Sequence, residues 1–200
     1  MRAGGYAVNM VGDEDQAQPR MTLAEAAALD PDTHAGEVVG GRWAAVTRNT
    51  WMHAALVLRL GSKLEQWASQ HPQWVVGVGD PGTKLGPDTL RGPDVGMLRR
   101  ERFPTGTGVD GWLDGSPELV IEVKGDSQTF EALTRKVFEY LSAGALQVWV
   151  VNPGTETVVT FSANGSTRLF SLGDVIDAGA LDGLGSFPGL TVPVAELFRR

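Results

Sequence analysis

The 200-residue sequence has no cysteine, no long apolar run and no excess of basic residues, and each absence removes a class of protein. Without cysteine there are no disulfides, no thiolate nucleophile and no sulfur-ligated zinc, so any metal is held by oxygen or by one of three histidines. The same absence fits a reducing compartment, and the cytoplasm is the expected location. No stretch approaches the roughly 18 apolar residues of a membrane span, so no membrane association is expected. The first twenty residues lack the basic start and apolar core of a secretory signal. A formal charge of -7, from 17 Lys and Arg against 24 Asp and Glu, argues against gripping nucleic acid through a broad basic stripe. It is compatible with a carboxylate metal centre, whose charge bound cations offset.

At 42% hydrophobic and 20% charged residues, the chain has the composition of a soluble globular protein of one well-buried core. Residues 1–20, without hydrophobic periodicity, are expected to be a disordered leader, and residues 21–200 a single domain. Thr22 and Glu25 have capping-box spacing, which predicts a short helix over LAEAAALD stopped by Pro31. EVVGGRWAAV predicts a hairpin turning at Gly40-Gly41, with Glu37 at its mouth. Between 49 and 70, Val57, Leu60, Leu64 and Trp67 recur at helical spacing, and His53 lies one turn before Val57 on that stripe. WVVGVGD and PDVGMLRR read as strands separated by a Gly/Pro-rich loop over 80–92, and a second Gly-rich loop covers 106–116.

ELVIEVK is too apolar for an exposed edge and is expected to be central. A helix over 128–143, capped by Asp126 or Ser127, carries Phe130, Leu133, Val137 and Leu141 on one face and stops at Gly144. LQVWVV then returns as a buried strand, and strand, helix and strand in that order imply a right-handed parallel crossover. A hairpin turning at Asn164-Gly165 follows, then a last strand and short helix in PGLTVPVAELF. The fold class is α/β, with helices flanking a mixed β-sheet.

The chemistry-bearing pattern is Pro93-Asp94 followed by Glu122-Val123-Lys124. Residues two apart on a strand share a face, so Glu122 and Lys124 are expected to project together while Ile121 and Val123 face the opposite layer. Asp94, opening a neighbouring strand, adds a second carboxylate. Two hard oxygen ligands suit Mg2+ or Mn2+, and a lysine beside them can orient water and offset charge on a phosphorane. The bland alternative is a surface ion pair, but ionised groups in an apolar strand are costly unless paired or metal-bound. Arg99, Arg100 and Arg102 are candidates to meet phosphates near the site, or else a solvated turn. Trp67 and Trp149 fall on core faces; Trp51, Trp74 and Trp112 are left unassigned.

PDV, ELVIEVKGDS and RKVFEYLSAGALQVWVVNP together resemble the core of the Uma-type restriction endonucleases, a bacterial branch of the PD-(D/E)XK nuclease superfamily. The resemblance runs from TLAEAAAL to PGLTVPVAELF, nearly the whole chain after the leader. It implies a restriction-endonuclease-like fold, Asp94 and Glu122 as metal ligands and Lys124 as catalytic lysine. In many relatives an apolar residue stands at that position and a later helical lysine is offered as substitute; here Lys136 occupies the helical position. Glu37 and His53 match an acidic position before the hairpin and a histidine on the long helix, and join the candidate site.

The expected activity is metal-dependent DNA phosphodiester hydrolysis, and cutting both strands with one centre per chain makes a homodimer economical. Two other classes compete. One is a non-catalytic dimeric scaffold or nucleic-acid-binding regulator that keeps the fold. The other is a sugar hydrolase using Asp94 and Glu122 as acid and base without metal.

Overall fold

The computed structural model describes residues 20–29, 35–46, 49–126, 128–181, 183 and 185–199. The expected leader apart from Arg20, the helix stop at Pro31 and the candidate cap Ser127 lie outside the described residues. Among the described residues no helix is long and apolar enough to cross a membrane.

α1 (Leu23–Ala27) starts on the predicted capping box: Thr22 accepts from the Glu25 amide, and the Glu25 carboxylate accepts from the Thr22 amide. β1 (Gly36–Val39) and β2 (Arg42–Ala45) form the hairpin, with Gly40 at φ 55° and Gly41 at 76°. That left-handed pair is what a two-residue turn matched to strand twist requires. α2 (Trp51–Ala68) is capped by Thr50 and buries His53, Leu56, Leu60, Leu64 and Trp67. Val57 is only partly buried, so the stripe runs through Leu56 instead.

β3 (Trp74–Val78) leads into a segment that is more ordered than its composition suggests. The segment 80–92, expected to be a loop, contains β4 (Thr83–Gly86) and β5 (Thr89–Arg91). These strands are short and flanked by glycines and prolines, and they are held by a distant partner: Val38 of β1 pairs with Leu90 of β5. After β6 (Val95–Arg99), the second expected loop likewise contains β7 (Leu113–Asp114), parallel to β4. The result is a five-stranded sheet, β2-β1-β5-β4-β7.

β8 (Leu119–Val123), α3 (Phe130–Ser142) and β9 (Gln147–Asn152) form the expected parallel crossover. β10 (Thr157–Ser162) and β11 (Thr167–Phe170) add the hairpin, and the tail supplies β12 (Val175–Asp177), α4 (Ala178–Leu181), β13 (Thr191–Pro193) and α5 (Val194–Leu197). The larger sheet runs β11-β10-β9-β8-β6-β3, mixed, with β8 and β9 at its centre. Thr129, not Asp126 or Ser127, caps α3, because its hydroxyl stands three residues before the Ala132 amide it receives. Phe130 is exposed, and Tyr140 instead joins Leu133 and Val137 in the core.

α2 and the tail pack on one face of this sheet, against Leu119, Ile121 and Val123; α3 packs on the other, against Val120. Alternation along β8 therefore leaves Glu122 on the α3 face, where the five-stranded sheet also approaches.

Candidate active site

β6 and β8 pair antiparallel, with Val95 opposite Ile121 and Gly96 opposite Val120; the next step of that register sets Asp94 opposite Glu122. Asp94 is 7% exposed. Its Oδ2 accepts the Val123 amide at 2.6 Å, and its Oδ1 lies 2.9 Å from His53 Nε2, which the first turn of α2 brings over the strand ends. Glu122 is 3% exposed. Tyr140 donates its hydroxyl to Glu122 Oε1 at 2.8 Å, and Lys136 Nζ lies 3.4 Å from Oε2. Lys136 and Tyr140 are four residues apart on α3, one turn, so a single helix face carries both donors.

Lys136 also donates to Glu37 Oε1 at 3.0 Å. Arg91 donates to Glu37 Oε2 at 2.7 Å and through Nε to Glu139 Oε2 at 2.7 Å. Glu37, expected at a hairpin mouth, is thus a buried bridge between the small sheet and α3.

The structure brings together Asp94, Glu122, Glu37, His53 and Lys136, but not Lys124. Lys124 follows the last residue of β8, its amide still donating to the Val151 carbonyl at 2.8 Å, and its ammonium donates to the Gly125 carbonyl at 3.1 Å. Lys136 is the lysine whose amine meets the carboxylates. The arginine cluster is displaced as well. Arg99 ends β6, roughly 17 Å along the strand from Asp94 at ~3.3 Å per residue, and covers the Trp74 ring at 4.2 Å. Arg100 donates to the Pro72 and Trp74 carbonyls and Arg102 to Glu118 and two carbonyls, so the cluster braces the far end of the sheet.

Burial pushes the Glu122 carboxyl from its ordinary 4.5 up to about 7; Lys136 opposes this, while Asp94 and Glu37 add to it. Burial would raise Glu37 as well, but Lys136 and Arg91 hold it below the usual range. Burial works against the charge on Lys136, yet Glu122 and Glu37 outweigh it and raise its pKa, so the amine stays an ammonium. The hydrogen bond to Asp94 raises His53 despite burial. Asp80, beside the cleft with φ 59°, is raised by burial and by the charge of Asp94.

Two consequences are measurable without any ligand. Arg91 is a buried cation serving two carboxylates, so Arg91→Met leaves Glu139 without its cation and Glu37 with Lys136 alone, and is expected to cost about 3–5 kcal/mol, read as a lowered urea midpoint. Unchanged stability would contradict that role. The second is a pH effect. Glu122 holds a proton in the folded state that the unfolded chain releases between 4.5 and about 7, so its contribution to stability falls as pH rises through that window. His53 has the same sign: its contribution is full below 6.5 and is lost as pH rises through its raised folded value. In chelator, the thermal midpoint is therefore expected to be lower at about pH 8 than at about pH 6; a midpoint that rises over this interval would contradict the assignment.

The site opens into a cleft of about 890 Å3 whose lining includes Glu37, Asp80, Asp94, Glu122, Lys136 and Trp112. Among the described residues no three His, Asp or Glu side chains converge as a closed metal cage. The donor set is the open kind: two carboxylates whose oxygens keep a second lone pair each, in a cleft where Glu122 and Asp80 are destabilised as anions. These residues fit Mg2+ or Mn2+, which bind through one or two carboxylates and complete their shell with water and phosphate.

Sequence reasoning missed Arg91, Tyr140 and Asp80. Arg91 and Asp80 lay inside the segment taken for a loop. Tyr140 carried a signal, its spacing of four from Lys136, which becomes informative only once Glu122 is known to face α3.

The Uma2 family model, described as "Putative restriction endonuclease", matches residues 23–194. No curated protein sequence matches the chain. Among solved structures, the chain is similar to a "putative nuclease belonging to DUF820" from Anabaena variabilis, with a TM-score of 0.75 and 18% identity over 89% of this chain and 97% of the other. At that identity the likeness shows the fold, a restriction-endonuclease-like one.

Proposed function

The chain belongs to the Uma2 family, a family of nuclease type, and on that premise we propose that it is a divalent-metal-dependent endonuclease hydrolysing DNA phosphodiester bonds. The observation that carries this reading is the meeting of Asp94 and Glu122 across the β6–β8 pair, beside the ammonium of Lys136, at the base of a cleft. Asp94 and Glu122 would hold the ion. When bound, Mg2+ or Mn2+ supplies Lewis acidity toward a phosphoryl oxygen and a lowered pKa for water.

The chain's own groups do the rest. Lys136 remains protonated among carboxylates, so it serves as a hydrogen-bond donor and positive charge toward the phosphate, and not as a base. His53 and the Val123 amide fix both oxygens of Asp94, and Tyr140 fixes one oxygen of Glu122. Burial keeps the Tyr140 phenol well above its ordinary pKa, so it donates and never competes as an anion. The paired Glu37 holds Lys136 in register from the far side.

The direct test is nicking of supercoiled plasmid with Mg2+ or Mn2+ and its arrest by EDTA. A companion measurement follows from protonation: the cation must displace the proton of Glu122, so Mn2+ is expected to raise the thermal midpoint more at about pH 8 than at about pH 6. An equal or reversed effect would remove Glu122 as a ligand.

A further inference from the structure

Hydrolysis needs a group that takes a proton from the attacking water, and the residues already placed in the site leave that role open. Lys136 stays an ammonium, and Asp94 and Glu122 would hold the ion. Glu37 accepts from Arg91 and Lys136, and His53 is bonded to Asp94. One more carboxylate lines the same cleft. Asp80 is solvent-exposed, and among the described residues its side chain makes no hydrogen bond and no ion pair, unlike every other titratable side chain of the lining.

The backbone is built to bring it there. β3 and β6 pair with Val78 opposite Val95, and Gly79 then donates its amide to the Asp94 carbonyl at 3.3 Å, so the chain reaches residue 80 alongside the Asp94 backbone. Gly79 at φ 82° and Asp80 at φ 59° are both left-handed, which turns the chain out of the strand. For Asp80 this is unfavourable on two counts: it carries a Cβ, and it precedes Pro81, which favours extended backbone in the residue before it. Asp80 also seats on Gly92, two residues before Asp94; a Cβ on Gly92 would come 2.7 Å from the Asp80 Cβ. Strain of this kind persists where a site needs a side chain held in one place. The carboxyl so delivered is partly desolvated and feels the charges of Asp94, Lys136, Glu37 and His53.

We propose that Asp80 is the proton acceptor of the reaction, its carboxylate holding the water that attacks a phosphate bound at Asp94, Glu122 and Lys136. This inference rests on the nuclease reading and deepens it. As the water oxygen bonds to phosphorus, its proton passes to the Asp80 carboxylate. The bond from phosphorus to the leaving sugar oxygen breaks, and that oxygen takes a proton from solvent. Asp80 then releases its own proton to solvent, which its exposure allows.

The test uses the full chain and reads stability, ion binding and cleavage separately. In chelator, Asp80→Asn and Asp80→Gly are expected to melt at or above the wild-type midpoint, because no hydrogen bond or ion pair is lost and glycine adopts left-handed backbone freely. At about pH 8, Mn2+ is expected to raise all three midpoints equally, since Asp80 does not hold the ion. Single-turnover nicking of plasmid is expected to fall about a hundredfold in both variants. Formate, a small carboxylate that fits where the Asp80 side chain stood, is expected to speed Asp80→Gly at least about tenfold and to leave wild type and Asp80→Asn unchanged. Lowered midpoints in chelator, a Mn2+ shift lost with Asp80, variants that nick at the wild-type rate, or an Asp80→Gly protein that formate does not revive would each overturn the inference while the nuclease reading stands. A wild type that cleaves nothing removes both.

Discussion

Asp94→Asn and Glu122→Gln are each expected to lower Mg2+-dependent cleavage on the order of a thousandfold, the scale of losing several kcal/mol of charge stabilisation at the reacting phosphate. The amides preserve shape, and one acceptor oxygen remains for the Val123 amide or the Tyr140 hydroxyl, so folding is expected to persist. What the amides remove is negative charge where the register makes the two strands meet. The measurement is single-turnover nicking at saturating enzyme, with thermal midpoints recorded in parallel. Wild-type rates in either variant would mean that cleavage in the preparation has another source.

The second large effect separates two lysines. Lys136→Met is expected to lower the cleavage rate by about 10²–10³, the range for losing one preorganised donor to a developing oxyanion. It is also expected to destabilise the fold by roughly 3 kcal/mol, because Glu37 and Glu122 lose a buried partner. Lys124→Met is expected to stay within a few-fold of wild type in rate, since the Lys124 amine is engaged with the Gly125 carbonyl next to it. Guanidine titration at matched metal concentration separates the two consequences of the Lys136 change: rates measured where both proteins are fully folded report chemistry alone. The opposite ranking, a silent Lys136→Met and an inactive Lys124→Met, would return the catalytic role to the strand.

That contrast shows where the sequence was legible. ELVIEVK announced a central strand because its apolar residues fill both faces, and Asp94 and Glu122 were conspicuous as carboxylates in apolar strands. Lys124 was assigned by extending strand alternation one residue beyond Val123, where the strand ends. Alternation is a property of pleated backbone and says nothing about the residue after it. Lys136 is fourteen residues after Glu122, on a helix, and only the packing of α3 on β8 brings the two together. No local pattern encodes that encounter; resemblance to a family suggested it.

The small sheet was hidden for a related reason. β4 and β5 have four and three residues among glycines and prolines, and their stability comes from pairing with a hairpin some fifty residues earlier. Arg91 therefore passed for a loop residue, although it anchors Glu37 and through it the position of Lys136. The arginine cluster misled in the opposite way. Proximity in sequence to the Asp94 strand suggested proximity to the site, but a strand separates its ends: at the other end Arg99 covers Trp74, and the Arg100 and Arg102 guanidiniums bond carbonyls and Glu118.

The most direct measurement of the central claim is the position of a Mn2+ ion, located by anomalous scattering in crystals soaked at about pH 8, where Glu122 is ionised. The account predicts a peak within roughly 2.0–2.3 Å of one carboxylate oxygen of Asp94 and one of Glu122, with waters completing the shell and Lys136 still beside Glu122. No peak between these two carboxylates at saturating Mn2+, or a peak elsewhere in the cleft with both still held only by their protein partners, would contradict it.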